Sequence, residues 1–288
     1  MIAVFGATGN TGRATVKELK ALGENPLCVV RNPDKAREVL GADARIAVAD
    51  LGDRAGMEKA LKGVKSVFVV TGHNPEADVQ QINILEAAKA AGAGYFVKVS
   101  GGKAIVGPNA ESVVGRGHYA IEEAVKKSGL RWTILRPGLF MQNTFAQAPS
   151  IKSDGKMVMA FPGTLPLAFI DVGDTGALGA RVLLDPAKHT GKVYEFTGAL
   201  TNLEEFAKVF SRVLGKPVAF VQLGLEQAEK GMRARNMPDW LVTHLLTISR
   251  AAENGAFSTE NTQPIRDIVG RAPLTTQQFV EANRAVFS

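Results

Sequence analysis

The chain has 288 residues, of which 45% are hydrophobic and 22% charged, a globular composition that excludes disorder and suffices for one large core or two smaller ones. Its 34 basic and 28 acidic residues leave a net charge of +6 that is scattered singly, with no basic run of the kind that marks a nucleic-acid surface. The single cysteine, Cys28, excludes an internal disulfide, and no Cys/His cluster has metal-ligand spacing.

Met1 runs straight into "IAVFGATG", with no basic region, apolar stretch and cleavage site in sequence, and no apolar run reaches the length of a membrane span. The chain therefore reads as soluble and cytoplasmic. Short β-branched runs then alternate with amphipathic segments: 2–5, 27–30, 45–49, 66–70, 95–99 and 132–135 read as strands, nearly continuous in apolar residues as strands buried on both faces are. Cys28 is expected to be buried in the second. The intervening helices carry Val16, Leu19 and Leu22, or Val79, Ile82 and Leu85, which are taken as core. Residues 166–184 read as strand then helix and 192–196 as a further strand. Beyond Asn202 the chain is mostly helical, with a short strand at 217–223. Such βαβ alternation predicts an α/β fold with a Rossmann-type doubly wound parallel sheet over 1–155, returning at about 166–197, and a smaller, mainly helical C-terminal lobe over 198–288.

The first stretch with chemistry in it is "GATGNTGR", between the first strand and the first helix. Gly6, Gly9 and Gly12 let the backbone turn tightly and approach a pyrophosphate, which Thr8, Asn10 and Thr11 help to cradle at the helix N-terminus. After the second strand "VVRNPDK" carries no acid of the kind that binds the adenosine ribose of NAD. Arg31 there offers a fork for a phosphate, which favours NADPH over NADH; the alternative is an arginine that lies along the surface. Asp34 reads as a cap for the next helix. Asp50 and Leu51 in "ADLGD" face adenine or form a turn. Thr71 and Gly72 in "TGHN" pass beneath the cofactor, and His73 is a loop histidine that touches substrate at most.

"GATGNTGR", "VVRNPDK", "ADLGD", "GHYAIEEAVKKSGLRWTILRPGLFMQN" and "FIDVGDTG" together resemble the NmrA-like branch of the atypical short-chain dehydrogenase/reductases, over nearly the whole chain. The resemblance is closest to bacterial NADPH-dependent quinone oxidoreductases and triphenylmethane reductases. It implies a sheet of order 3-2-1-4-5-6-7, a substrate cleft between the sheet and the C-terminal lobe, and cofactor contacts from Ser100, Pro137 and Gly138. It also implies an acceptor facing Phe140 and Asn143. For Phe140 and Met141 plain core is the commoner fate of such residues, and "MAFPGTLPLAFID" is then expected to line the other side of the cleft, with Phe161 and Phe169 as candidate stacking surfaces for a flat ring.

Ordinary members of the wider family carry a Tyr-x-x-x-Lys pair on the helix before "WTIL"; here Val114 and His118 occupy those positions. Tyr119 points about 100° away from His118 and does not substitute. Reduction of an isolated ketone loses its acid. Hydride transfer to a quinone or another conjugated acceptor, which delocalises the charge it receives, does not need one so strongly. His118 and Glu122 share a helix face, Glu122 placed to orient the imidazole and favour its charge; they are the candidate catalytic pair or else a half-exposed ion pair. Asp171 reads as a helix N-cap and Trp240 as helix packing. The expected function is an NAD(P)H-dependent oxidoreductase acting on a small conjugated acceptor such as a quinone, without flavin or metal, and without direct nucleic-acid or membrane partners. The rival is a cofactor-occupied sensor, as the NmrA regulators are, that binds a protein and turns nothing over. A homodimer is compatible with either.

Overall fold

The computed structural model describes residues 1–288. Strands β1 (Ile2–Phe5), β2 (Leu27–Val30), β3 (Ile46–Val48), β4 (Ser66–Val69), β5 (Tyr95–Val99) and β6 (Arg131–Pro137) are joined by helices α1 (Asn10–Ala21), α2 (Pro33–Leu40), α3 (Arg54–Ala60), α4 (Ala77–Ala90) and α5 (Val113–Lys127). There follow β7 (Leu139–Phe140), a 3-10 helix over Met141–Gln147, α6 (Ala148–Asp154), β8 (Lys156–Met159), β9 (Leu167–Ile170), α7 (Val172–Leu184), α8 (Pro186–His189) and β10 (Lys192–Phe196). The remainder comprises β11 (Leu200–Thr201), α9 (Leu203–Leu214), β12 (Ala219–Gln222), α10 (Leu225–Ala234), α11 (Asp239–Glu253), α12 (Thr276–Ala282) and α13 (Arg284–Phe287).

The main sheet is wholly parallel and runs β3-β2-β1-β4-β5-β6-β10, the order 3-2-1-4-5-6-7 that the resemblance implies. The chain reverses direction across the sheet between β1 and β4, and a ligand crevice opens at the carboxyl ends of the strands beside such a switch point. One face packs α1 and α7 through Val16, Leu19, Leu178 and Val182; the other packs α3, α4 and α5 through Met57, Ile84 and Ile121. A third core joins β7, β9, α6, α9, α12 and α13 through Leu139, Phe169, Ile151, Phe206, Phe279 and Phe287. Each fully buried Leu or Phe contributes roughly 1.5–3 kcal/mol, so these three clusters hold the switch point rigid.

Two stripe residues taken as core are not. Val79 is 58% exposed and Leu22 38% exposed, while Ile82 is half-buried. Successive steps of three rotate about 60° backwards around a helix, so of Val79, Ile82 and Leu85 only the last falls within the buried face of α4, which Gln81, Ile84 and Ala88 complete. Leu22 is already the C-cap of α1. Asp34 does not cap α2 either: Asn32 Oδ1 accepts from the Lys35 N–H at 3.0 Å, and Asp34 is left in the first turn. Asp171 does cap α7, accepting from the Gly173 N–H at 2.6 Å. Cys28 is buried, which pushes its thiol up to about 11.

Candidate active site

A cleft of about 780 Å³ lies at the carboxyl ends of β1, β2 and β4. The turn from β1 into α1 forms its floor, all of residues 6–12 lining it. Gly6 has φ +74°, and a Cβ there would stand 1.6 Å from the Val70 carbonyl oxygen; a Cβ on Gly12 would stand 2.1 Å from that of Gly6. The turn is thus pressed between the end of β4 and its own helix, and glycine is the only residue that fits both points. Gly9 is different. Its Cβ would meet Gly6 O at an ordinary 3.4 Å, and as the N-cap of α1 it brings no side-chain bond to the helix. The first N–H groups of α1, with no acid in that turn, are left facing the cleft, which fits an anionic pyrophosphate.

Beyond β2 the wall carries Arg31, Asn32 and Lys35. Arg31 and Lys35 are exposed and neither has a carboxylate within ion-pair distance. Two free cations beside an N-capped turn have the chemistry to meet a phosphate; Lys35, four residues from Arg31 in "VVRNPDK", is the one that the sequence reading omits. Asp50 and Leu51 line the same wall, and Asp50 also closes a turn by accepting from the Gly52 N–H at 2.7 Å.

At the other end the loop after β4 contributes Thr71, Gly72, His73 and Asn74, opposite Phe140, Gln142 and Asn143. Gln142 is fixed: its amide donates to Asp171 Oδ2 at 2.7 Å and its oxygen accepts from the Val172 N–H at 3.1 Å. Behind the β4 loop lies a buried polar cluster. Lys98, the fourth of the five residues of β5 and fully buried, donates to Gln81 Oε1 at 2.9 Å and to Val99 O at 3.1 Å, and shares a hydrogen bond with His118 Nδ1 at 3.2 Å. Gln81 in turn donates to Thr71 Oγ1 at 2.8 Å, tying the cluster to the loop. The His118 ring meets His73 edge-on at 5.6 Å, and His73 meets His244 of α11 at 5.0 Å; His244 Nδ1 is bonded to Ser112, the N-cap of α5, at 2.8 Å.

Burial, opposed by the carboxylate of Glu122, brings Lys98 down to about 7. Burial and then the charge of Lys98 hold His118 well below the ordinary imidazole value, and burial takes His244 down to about 4. His118 is therefore neutral, and when Lys98 is the ammonium the only role left to Nδ1 is acceptor, which puts the ring proton on Nε2.

The expectation that Glu122 orients His118 fails. Although the two share a helix face, Glu122 is bonded to Ser100 Oγ at 2.7 Å and to Arg136 at 2.9 and 2.5 Å, and the partner of the imidazole is Lys98. Burial would raise the Glu122 carboxyl, but its bonds from Arg136 and Ser100 outweigh that and keep it lowered. Ser100 is accordingly buried under Glu122. Pro137 is buried, and Gly138 presses against Thr197 and Ala168, its N–H donating to Phe196 O at 2.9 Å; neither lines the cleft. Phe169 is 2% exposed and edge-on to Phe206, and Phe161 packs half-buried against the same third core, so neither faces the cleft. Trp240 is half-buried on α11, also away from it.

A glycine turn that opens a parallel sheet's switch-point crevice to a free helix N-terminus defines a dinucleotide-binding α/β protein of the Rossmann type. Residues 1–270 match the NmrA-like family, and the chain belongs to that family. It is 34% identical over 273 residues, 94% of this chain and 93% of the relative, to the (4-alkanoyl-5-oxo-2,5-dihydrofuran-3-yl)methyl phosphate reductase of Streptomyces griseus subsp. griseus. It is 32% identical over 290 residues, 100% of this chain and 99% of the relative, to the NAD(P)H azoreductase of Xenophilus azovorans. Among solved structures, the NADPH-dependent quinone oxidoreductase of Escherichia coli complexed with NADPH superposes with a TM-score of 0.85 at 27% identity, over 99% of this chain and 100% of that one. No helix is long and apolar enough to cross a membrane.

Proposed function

We propose that the protein is an NAD(P)H-dependent oxidoreductase that reduces a quinone-like or otherwise conjugated small molecule, using NADPH in preference to NADH and neither flavin nor metal. The observation that carries this reading is the cleft itself. A backbone cradle for a pyrophosphate and two unpaired cations for a further phosphate stand at one end, and a carboxamide-lined opening with one aromatic face, Phe140, at the other. Gly9, Asn10 and Thr11 would hold the pyrophosphate, Arg31 and Lys35 the 2′-phosphate, and Thr71 to His73 the nicotinamide end. Bound NADPH would supply hydride. The relatives named above, reductases for a butenolide phosphate, for azo compounds and for quinones, support the class of reaction.

No Tyr-x-x-x-Lys pair is present, because Val114 and His118 stand at those positions and Val114 is buried. The acceptor must then spread the negative charge it gains, as quinones and azo compounds do, for want of a strong acid beside it. The test is to mix purified protein with NADPH and follow its absorbance with a panel of quinones, a cationic dye and no acceptor. Saturable loss of absorbance with one acceptor is the expected result, with His118→Ala slowing it more than it weakens NADPH binding. Tight binding with no oxidation on any of them would make the protein a cofactor-occupied sensor instead.

A further inference from the structure

The cleft contains no group that both touches an acceptor and is built to deliver a proton: Phe140, Gln142 and Asn143 do not titrate, and His73 makes no hydrogen bond to a group that would recharge it. Yet a quinone or an azo compound that has gained hydride is an anion that takes up one proton to finish the reaction. Directly behind the β4 loop stands Lys98, a fully buried amine with no carboxylate within ion-pair distance. A lysine in that state costs stability, and a structural strand position is filled more cheaply by an apolar residue. Its three hydrogen bonds point one way out. Gln81 Oε1 and Val99 O are amide oxygens that accept and carry no proton onward, whereas His118 Nδ1 accepts on a ring whose second nitrogen can release a proton.

That second nitrogen has somewhere to send it. His118 lines a small cavity of about 10 Å³ together with Thr71, Gly72, His73 and Asn74, and all four of these also line the cleft. A cavity of that size is near the minimum that holds one water molecule, and Thr71, His73, Asn74, Gln81 and His118 stand among its largely apolar lining as partners for one. We propose that Lys98 stores the proton taken up by the reduced acceptor and passes it through His118 and the small cavity beneath His73 into the cleft. The inference rests on the reductase reading above. The acceptor anion gains the proton of His118 Nε2 across one water in the small cavity, because His118 does not itself line the cleft. Lys98 Nζ gives a proton to Nδ1 and is left a neutral amine, and no electron moves in this step. A proton from solvent returned to Nε2, and the Nδ1 proton returned to Lys98, restore the starting state. Lys98 acts through His118 and is a positioning residue; it does not touch the acceptor.

The charged and titratable groups around Lys98 are consistent with one stored proton. His118 and Glu122 face it from α5 and His73 from the loop after β4, while Asp78 of α4 borders the small cavity, His244 of α11 lies behind His73 and Arg136 of β6 behind Glu122. Glu122 alone favours the ammonium; it is neutralised by Arg136, and burial brings Lys98 to about 7, where it is poised to give and regain a proton.

The experiment compares two acceptors. A quinone needs hydride and a proton, whereas a cationic triarylmethane dye is complete once hydride has arrived. In wild type, kcat on the quinone is expected to fall as pH rises through about 7, because the ammonium is the donor, and kcat on the dye to lack that step. Lys98→Met, and His118→Gln, which still accepts from Lys98 but relays no proton, are expected to lower the quinone-to-dye ratio of kcat about 100-fold and abolish the step, with the Kd for NADPH little changed. A purely structural role would depress both acceptors together. A folded Lys98→Met that keeps the ratio and the pH step overturns the inference alone, as does a wild-type quinone profile flat through pH 7, which needs no variant at all. Absence of NADPH oxidation by wild type on every acceptor overturns the reductase reading, and this inference with it.

Discussion

The two ends of the cleft are made of different materials. The dinucleotide end is main chain: a turn of seven residues, pinned by Val70 O at one glycine and by its own carbonyl at another, and a helix whose first N–H groups have no side-chain cap. The opposite end is side chain: Thr71, Gln81, Lys98, His118, His73, His244 and Ser112 form one chain of contacts across β5, α4, α5, α11 and the loop after β4. A main-chain site carries fixed partial charges that do not titrate, so it binds the same anion at any ordinary pH. A side-chain site whose members are pushed off their ordinary pKa values is sensitive to pH and to distant packing. The contrast predicts that damage to the first is steric and total, and damage to the second electrostatic and graded.

The largest effect is expected from Gly12→Ala. The added methyl would stand 2.1 Å from Gly6 O, and neither that oxygen nor α1 is free to retreat, since α1 is locked against α7 through the core. A loss of at least roughly 3 kcal/mol, the upper end for overpacking, together with loss of NADPH binding, is expected in thermal melts and fluorescence titration. Gly9→Ala is the control that sharpens the comparison. Its methyl meets nothing closer than 3.4 Å in the protein, so it should melt with wild type, and a weakened Kd for NADPH would show that the cofactor passes over Gly9. Equal melting of Gly12→Ala and wild type would show that the floor is not built as described.

Glu122→Gln comes next and breaks the side-chain end from beneath. Glu122 is fully buried and shared among Ser100, Arg136 and Lys126, while Arg136 keeps a second partner in Glu195. A loss of roughly 3 kcal/mol is expected, the lower end for breaking a buried pair, because Arg136 is not left wholly alone. The pH dependence has a definite sign. The folded Glu122 carboxyl sits below its ordinary value, so its stabilisation is present above the unfolded pKa and is lost as pH falls through the folded one. Denaturant melts should therefore show wild type and Glu122→Gln converging towards acid pH and diverging above it. A constant gap across that range would remove the charge from the account.

How much of this could be read in advance follows the same division. The main-chain end is contiguous, and "GATGNTGR" between a strand and a helix states both its position and its chemistry; the alternation of runs predicts a parallel sheet, and its order comes from the resemblance alone. The side-chain end is assembled from residues far apart in the chain, and periodicity says nothing about which of them meet. "YFVKV" reads by its pattern as a buried apolar strand, and the lysine within a strand buried on both faces is itself the signal of the cluster. Helix spacing alone pairs Glu122 with His118, whereas β6 supplies a stronger partner in Arg136. Phe161 and Phe169 offer rings, but a ring in the sequence does not say which surface it packs on. The third core, built from elements after β6, had the prior claim on both.

The smallest effect expected here belongs to Arg31, where the two materials meet, because a charged side chain is set at the rim of a main-chain site. Arg31 is exposed and unpaired, so in the free protein it contributes nothing that its replacement would cost, and Arg31→Asp should melt with wild type. In the complex a charge-assisted bond to a phosphate contributes about 1.5–3 kcal/mol, which corresponds to a ratio of NADPH to NADH affinity falling roughly 10–100-fold. Lys35→Ala should move the same ratio less, since a flexible ammonium one helical turn away meets a phosphate as a point charge and without a fork. Raised salt should shrink both differences, as exposed charges are screened within about 10 Å at 0.1 M. Unchanged relative affinities in Arg31→Asp would take Arg31 out of the phosphate site. If Lys35→Ala alone shifted them, the phosphate would lie towards α2, held by the first turn that Asn32 caps.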